Sequence, residues 1–526
     1  MPTVRAGTQI MTRDDSLPLA RKLRQEILFA RERVYHFGQP TPLETLTLSN
    51  GQQIWVKRED LSTIKAYKWR GAANRMAALT EAEVGRGVVT ASAGNHAQGV
   101  ALAAKQLGIQ ARIYMPRSTP QVKQNAVLTH GAEYVSIHLS GDSYDEAVQA
   151  ARADEVESGA VYIHAYDDLQ VMAGQGTLAD EVVLSGEGPF DVAYLQIGGG
   201  GMAAGVSTWL KTYWPEIEIV GVEGEGQASM KAAIAAGKPV PLSEVDLFCD
   251  GTAVRQAGAL PFEICQDSLD RIVTVSNAQV TRAIRTLWEG LRCVSEPSGA
   301  MGLAAALAEK ESLTGKRVLV VLCGANIDFL QLGRIAQSEG STIRHSRTLR
   351  IRMPEIPGAM LALMENSFTG IDITDFQYGK TDESAAWPAF TLSSDHPSTL
   401  AAVTDKLDAS GLPWEDITGG TDIAFRAIPF RGDLLSHPAF LRLDFYERTG
   451  ALHDFLAKQL SGNANLVYFN YRHSGERIGR ALIGLDFPSL EERDAFLKTI
   501  PPQGEGYRLC KALDSQTSVR ISSAAR

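Results

Sequence analysis

Residues 191–213, DVAYLQIGGGGMAAGVSTWLKTY, decide how the first half of this chain folds. DVAYLQI at 191–197 is apolar at nearly every position, as a strand buried on both faces must be. Four glycines follow, and GMAAGVSTWLKTYW then reads as a helix. Strand, turn and helix in that order form the repeating unit of a parallel sheet covered by helices. Outward from it the grammar recurs. IWVKRE at 54–59, RGVVTAS at 86–92, ARIYMP at 111–116, EYVSIHL at 133–139, IEIVGVE at 217–223 and RVLVVL at 317–322 read as strands. Helical stretches stand between them, among them YKWRGAANRMAAL at 67–79 and NHAQGVALAAKQLG at 95–108. Up to about residue 345 the expectation is an α/β fold with a mostly parallel sheet.

Composition narrows the class. A chain of 526 residues is too long for one ordinary domain. Its net charge of −10, from 61 acidic and 51 basic residues, does not favour a nucleic-acid partner. No apolar run reaches the roughly 20 residues that cross a bilayer, so no membrane partner is expected. The opening MPTVRAGTQIMTRDDSLPLA has neither a signal-peptide core nor an acid-free Arg-rich pattern. Cys249, Cys265, Cys293, Cys323 and Cys510 are dispersed, with no CxxC pair, which fits a reducing compartment and no thiolate metal cluster. A cytoplasmic, multidomain protein is expected.

After SEGSTIRHSRT at 338–348, a polar stretch suited to a linker, the pattern changes. LRIRMPE, then the helix-like GAMLALMENS, the strand-like IDITDFQYGK and AAWPAFTLS, and the helix-like STLAAVTDKLDAS follow in order. The order returns in FLRLDFYE, GALHDFLAKQL, NANLVYFNYRH, RIGRALIGLDF and SLEERDAFLKTI. Gly358-Ala359 recurs as Gly450-Ala451 after 92 residues, and Phe376-x-Tyr378 as Phe469-x-Tyr471 after 93. A βαββα(β) unit present twice predicts two α+β ferredoxin-like modules.

The chemistry gathers at four strand ends of the first half. They give Lys68 in LSTIKAYKWRG, the loop ASAGNHAQG at 91–99, Gly198 to Gly201, and Cys323-Gly324-Ala325-Asn326. Open α/β sheets bind ligands at the carboxyl ends of their strands. Successive glycines before a helix let main-chain N–H groups converge on an anion, here the size of a phosphate. Neither GxxxxGK[ST] nor GxGxxG is present, which argues against a nucleotide. In SAGNH, Ser92 and Asn95 can either hold a small carboxylate or cap the following helix. A lysine near the positive end of a helix and an apolar wall has its charged form disfavoured, and a neutral amine adds to an aldehyde. Lysine, phosphate cradle and carboxylate loop together describe a pyridoxal-phosphate site.

The ordered set TPLETL, VKRED, YKWRGA, ASAGNHAQGVA, GQGT, GGGGMAAGV, DGTAV, EPSGA and CGAN resembles the biosynthetic threonine dehydratases (threonine ammonia-lyases). These are pyridoxal-phosphate enzymes of fold type II, the tryptophan-synthase-β-like class with a two-subdomain catalytic half. PEIPGAM and ERTGAL resemble the turns into the first helix of their two ACT-like regulatory domains. The resemblance implies an N-terminal extension at 1–23, a catalytic domain at 24–340, a linker at 341–348, and ACT-like domains at 349–438 and 439–526.

By the same resemblance, Lys68 binds the cofactor aldehyde and later moves the Cα proton. Asn95 hydrogen-bonds the cofactor 3′-oxygen. Ser92, Gly94 and His96 receive the substrate carboxylate, and Gly198, Gly199, Gly200, Gly201 and Met202 form the phosphate loop. Cys323 faces the pyridine nitrogen, where the family commonly has serine and related serine dehydratases have cysteine. Ala66 replaces the usual serine two residues before the lysine. The implied reaction is deamination of L-threonine to 2-oxobutanoate by loss of water and ammonia, the first committed step toward isoleucine, with a related serine/threonine dehydratase that prefers L-serine or has other effector control as the alternative. L-Isoleucine and L-valine are the implied effectors, and a homotetramer or homodimer the implied assembly. Tyr378 and Tyr471 are candidates beside the effector sites, or core residues. Glu223 is either part of a monovalent-cation site or a capping or ion-pair residue; no metal is assigned.

Overall fold

The computed structural model describes residues 17–329, 331–333, 335–336, 345–354, 359–368, 371–377, 385–394, 397–418, 435–446, 455, 464–472, 478–504 and 507–513. The chain divides into two compact units. The first comprises residues 1–116 with 121–326, and the second 117–120 with 327–526.

The first unit holds two sheets, where the strand pattern alone suggested one. The larger has six strands in the order Leu43–Thr47, Gln53–Arg58, Val318–Leu322, Val192–Gln196, Glu218–Gly224 and Arg271–Val275. All its pairings are parallel except the first, which is antiparallel. The smaller is fully parallel, in the order Val135–Leu139, Ala111–Met115, Val88–Ala91 and Val161–Tyr162. VAYLQ at 192–196 and VLVVL at 318–322 are buried at every position, which is why their sequences carry no polar alternation. Sequence reading passed over Leu43–Thr47, Arg271–Val275 and Val161–Tyr162. All three lie at sheet edges, where only part of each strand is buried.

The helix Trp69–Ala77 is held by close main-chain approaches and by charge. A Cβ on Gly99 would stand 3.1 Å from the carbonyl oxygen of Lys68, so the helix Asn95–Leu107 lies directly against the lysine turn. On its other side, Arg70 is fully buried. Its guanidinium donates to both oxygens of Glu59 at 2.9 Å and to Glu181 at 2.6 and 3.0 Å. Lys57 also donates to Glu181 and to Thr41. Two cations and two carboxylates thus satisfy one another away from water, as buried charges must.

In the second unit, one antiparallel sheet runs in the order Asp372–Gln377, Ala389–Ser394, His345–Ile351, Trp414–Asp416. A second runs Asn465–Arg472, Ile478–Asp486, Pro438–Tyr446, Tyr507–Ala512, Gln503–Gly504, and a two-stranded sheet pairs Met353–Pro354 with Ala385–Ala386. In the first of these the second, third, first and fourth strands lie side by side in that order; in the second, Tyr507–Ala512 takes the fourth place and the two-residue Gln503–Gly504 lies outside it, so both have the ferredoxin-like arrangement. Helices Ala359–Ser367 and Pro397–Ala409 complete the first module, and Leu490–Thr499 is a helix of the second. Most of GALHDFLAKQL lies outside the described residues. Each module has its own core, around Phe390 and Leu407 in one and Leu443 and Phe455 in the other. The strand His345–Ile351 takes in the last residues of the stretch that read as a linker.

Replacing Arg70 with Met should strand Glu59 and Glu181 as buried, under-compensated carboxylates. A loss of about 3–5 kcal/mol is expected, read by chemical denaturation as a lowered midpoint of the first unit. Arg70→Lys should recover part of it.

Candidate active site

The loop after Gln53–Arg58 runs back across the end of Val318–Leu322. The Tyr67 N–H donates to the Cys323 carbonyl at 3.0 Å, Ala66 bridges Gly324, and the Ala325 N–H donates to the Lys65 carbonyl at 2.9 Å. Lys65 adopts φ +59°, a left-handed conformation rare outside glycine, and these bonds hold it there. Lys68 follows at the N-cap of Trp69–Ala77. Burial lowers its amine below the ordinary lysine range, while Cys323, Glu296 and Asp250 push the other way.

The SAGNH segment opens the helix Asn95–Leu107. Its N-cap is Gly94, and no side chain caps it. The Ser92 hydroxyl accepts from the Gly94 N–H at 3.3 Å, and the Asn95 side chain turns away to Glu296 and Asn326. Of the two roles open to Ser92 and Asn95, the structure removes the cap. Thr80, Ser143, Asp168 and Ser276 do cap helices elsewhere in this unit. A Cβ on Gly94 would meet nothing within 4 Å, so the uncapped end faces open space. His96 is buried, with Nε2 3.0 Å from the Ile163 carbonyl; this fixes the proton on Nε2. Burial drives its pKa down to about 3, and Nδ1 is a buried acceptor with no partner among the described residues.

Gly198 to Gly201 lead from the strand Val192–Gln196 into the helix Gly201–Tyr213, whose N-cap, Gly200, is likewise without a capping side chain. Gly200 has φ +96°. A Cβ on Gly199 would enter the Tyr166 ring at 2.2 Å, and one on Gly201 would stand 2.8 Å from the Tyr166 carbonyl oxygen. Only a glycine run permits this path. It leaves the first N–H groups of a 13-residue helix, and its positive end, for an anion. Met202 is buried behind the loop in the core. Cys323 is buried, its thiol 3.7 Å from the Ser298 carbonyl, and burial followed by the nearby Glu296 holds it protonated.

Sequence reading gave no role to Glu296 or Asn326, although both stand in quoted motifs, EPSGA and CGAN. Neither carries a composition signal; only the fold brings them to Asn95. Of the cation, capping and ion-pair roles open to Glu223, its contacts are those of a cap. Its carboxylate accepts from the Met230 and Lys231 N–H groups at 2.8 and 2.9 Å, at the start of Ser229–Ala236. Among the described residues no group of His, Cys, Asp and Glu is arranged to hold a metal ion. All five cysteines are free. Tyr378 lies outside the described residues, and Tyr471 lies on the strand Asn465–Arg472.

A depressed lysine, an anion cradle at one open helix end, a second open helix end and a neutral thiol fit pyridoxal phosphate and an amino-acid carboxylate. Comparison with known proteins agrees. Residues 34–324 match the family described as pyridoxal-phosphate dependent enzyme. Residues 434–513 match the C-terminal regulatory domain of threonine dehydratase. The biosynthetic L-threonine dehydratase of Burkholderia multivorans is 34% identical over 472 residues, 88% of this chain and 92% of that protein. That of Haemophilus influenzae is 36% identical over 470 residues, 88% of this chain and 90% of its own length. The processed form of threonine deaminase isoform 2 from Solanum lycopersicum has a TM-score of 0.58 and 37% identity, over 64% of this chain and 99% of that one. The chain is thus a pyridoxal-phosphate-dependent enzyme of fold type II. Within that class it belongs to the biosynthetic threonine dehydratase family.

Glu223 is fully buried, and desolvation pushes its carboxyl up to about 7 despite the N–H groups it accepts. A carboxyl that titrates higher when folded stabilises fully below its unfolded pKa of 4.5, and that stability is lost as pH rises through 7. Glu223→Gln should therefore flatten the decline in stability between about pH 5 and pH 8, by about 1–3 kcal/mol. Thermal midpoints measured across that range check it; the remaining slope includes Glu296, whose carboxyl is shifted the same way.

Proposed function

We propose that this enzyme deaminates L-threonine to 2-oxobutanoate and ammonia, the first committed step toward isoleucine, in the cytoplasm. The observation that carries the proposal is Lys68, depressed by burial, on a turn packed against the uncapped helix Asn95–Leu107. Pyridoxal phosphate, when bound, supplies an electron sink that makes the substrate Cα proton removable.

The chain supplies the rest. N–H groups from Gly198, Gly199, Gly200, Gly201 and Met202 hold the phosphate. The Ser92 hydroxyl, the Gly94 main chain and the main-chain N–H of His96, whose neutral imidazole offers only an acceptor at Nδ1, would take the substrate carboxylate at the open end of Asn95–Leu107. Asn95 donates to the cofactor 3′-oxygen. Lys68 in its neutral form accepts the Cα proton, which an ammonium cannot do. Cys323, protonated and uncharged, would stand as a neutral partner for the pyridine nitrogen. A carboxylate there would keep that nitrogen protonated and favour transamination; a thiol leaves loss of the β-hydroxyl as the favoured course. The released enamine tautomerises and hydrolyses in water, yielding the oxo acid and ammonia.

The second unit is read as the control element, with a linker that ends before the strand His345–Ile351, ACT-like domains from there to 438 and at 439–526, and L-isoleucine and L-valine as opposing effectors. The regulatory-domain match at 434–513 and the repeated ferredoxin-like strand order support this. Tyr378 and Tyr471 are the residues proposed beside the effector sites, and a homotetramer or homodimer is the proposed assembly. An effector acts only through unequal affinity for two states of the enzyme.

Lys68→Ala should abolish turnover of threonine and the visible absorbance of the cofactor-loaded protein; a variant retaining both contradicts the assignment. Isoleucine added to a steady-state assay of 2-oxobutanoate should raise the apparent KM for threonine several-fold, by an amount set by a coupling of about 1–3 kcal/mol. Equal rates with and without isoleucine would refute that effector.

A further inference from the structure

Glu296 takes no part in the roles above, yet its carboxyl lies at the centre of the site's polar contacts and is 3% exposed. The Asn95 side-chain N–H₂ donates to Oε1 at 2.9 Å and to Oε2 at 3.1 Å. The main-chain N–H of Asn326 also donates to Oε2, at 3.1 Å. Asn326 closes the ring by donating from Nδ2 to Asn95 Oδ1 at 2.7 Å and to the Ile64 carbonyl at 2.7 Å. Both ends of the Asn95 amide are committed, so its rotation is fixed. The Glu296 N–H is tied to the Gly324 carbonyl at 3.1 Å. Glycine at 324 makes the room for the carboxyl, since a Cβ there would stand 2.5 Å from Oε1.

Two bland roles fail. Glu296 is the N-cap of Pro297–Ala308, but its side chain does not cap that helix. Nor is it a simple amide partner: both its oxygens accept, and a glutamine, with a donor at one end, would not reproduce the contacts. We propose that Glu296 is a positioning residue, aiming the Asn95 amide at the cofactor 3′-oxygen and setting, through it, how strongly that oxygen is hydrogen-bonded. The inference rests on the assignment of Asn95 to that oxygen.

The surroundings let this contact change with proton uptake. Lys68 and Tyr67 face the carboxyl from the lysine turn, Cys323 from the neighbouring strand end, and Asp250 and Cys249 from the loop that also carries Gly251. Lys123 pairs with Asp250 at 2.6 Å. Burial, then Asp250, pushes the Glu296 carboxyl up to about 7, against the pull of Asn95, Lys123 and Lys68. Near neutral pH the partner of Asn95 therefore gains or loses its charge. A neutral carboxyl accepts a hydrogen bond less strongly than a carboxylate and leaves the amide N–H freer for the 3′-oxygen.

The test is a double-mutant cycle on the cofactor-loaded enzyme, with Glu296→Gln, Asn95→Ala and the pair, read by visible spectrum against pH and by kcat and KM. The wild-type spectrum should change through about pH 7. Glu296→Gln should lose that change and lower kcat by about 10–100-fold, with KM for threonine little altered. In the Asn95→Ala background, Glu296→Gln should cost nothing further. Should Glu296→Gln fail to fold, Glu296→Asp, which withdraws the carboxyl from Asn95 by one methylene, should lower kcat likewise and add nothing in the Asn95→Ala background. A spectrum and kcat unaltered by Glu296→Gln, or an effect that multiplies in full with that of Asn95→Ala, overturns the inference. A wild-type protein with no visible band at all would instead overturn the cofactor assignment.

Discussion

The site depends on keeping one amine uncharged in a place that also attracts anions. Lys68 is buried, which disfavours its ammonium, yet three acidic neighbours favour it. The conflict is eased because two of those neighbours resist ionisation themselves. Burial holds the Cys323 thiol protonated and pushes Glu296 up to about 7. Two open helix ends offer positive field instead, one suited to a phosphate and one to a carboxylate, and neither carries a proton that can be lost. Charge on the ligand and neutrality of the amine are thereby served by different parts of the fold.

That separation requires two strand ends to be brought together with little tolerance. The Lys65–Tyr67 segment is paired to Cys323–Ala325, with Lys65 in a left-handed conformation. From behind, Arg70, Glu59, Glu181 and Lys57 tie the helix after Lys68 to its neighbours through a closed set of charges. Gly99 lets the carboxylate-loop helix touch the lysine turn. Each contact fixes backbone, so the amine is placed by main chain rather than by its own long side chain.

Much of this was legible in the sequence where a physical signal is local. Strands buried on both faces show as unbroken apolar runs, and the glycine run shows because no other residue follows that path beside Tyr166. The repeated element order of the second half shows the ferredoxin-like strand order directly. Leu43–Thr47, Arg271–Val275 and Val161–Tyr162 escape sequence reading because their half-buried residues leave a mixed pattern, although the edge strand Val135–Leu139 does not. Two sheets in the catalytic half could not be told from one by alternation alone, since each strand-helix unit looks the same in either. Glu296 and Asn326 were missed for a different reason. A buried glutamate reads as a surface one until the fold supplies Asn95 as its partner, 201 positions away in the chain.

The most direct measurement is chemical. Borohydride makes the bond between the cofactor aldehyde and its amine permanent, and digestion then shows which peptide carries the cofactor. The account requires the label on the peptide containing Lys68, in the sequence AYKWRG. A label on any other lysine would contradict it.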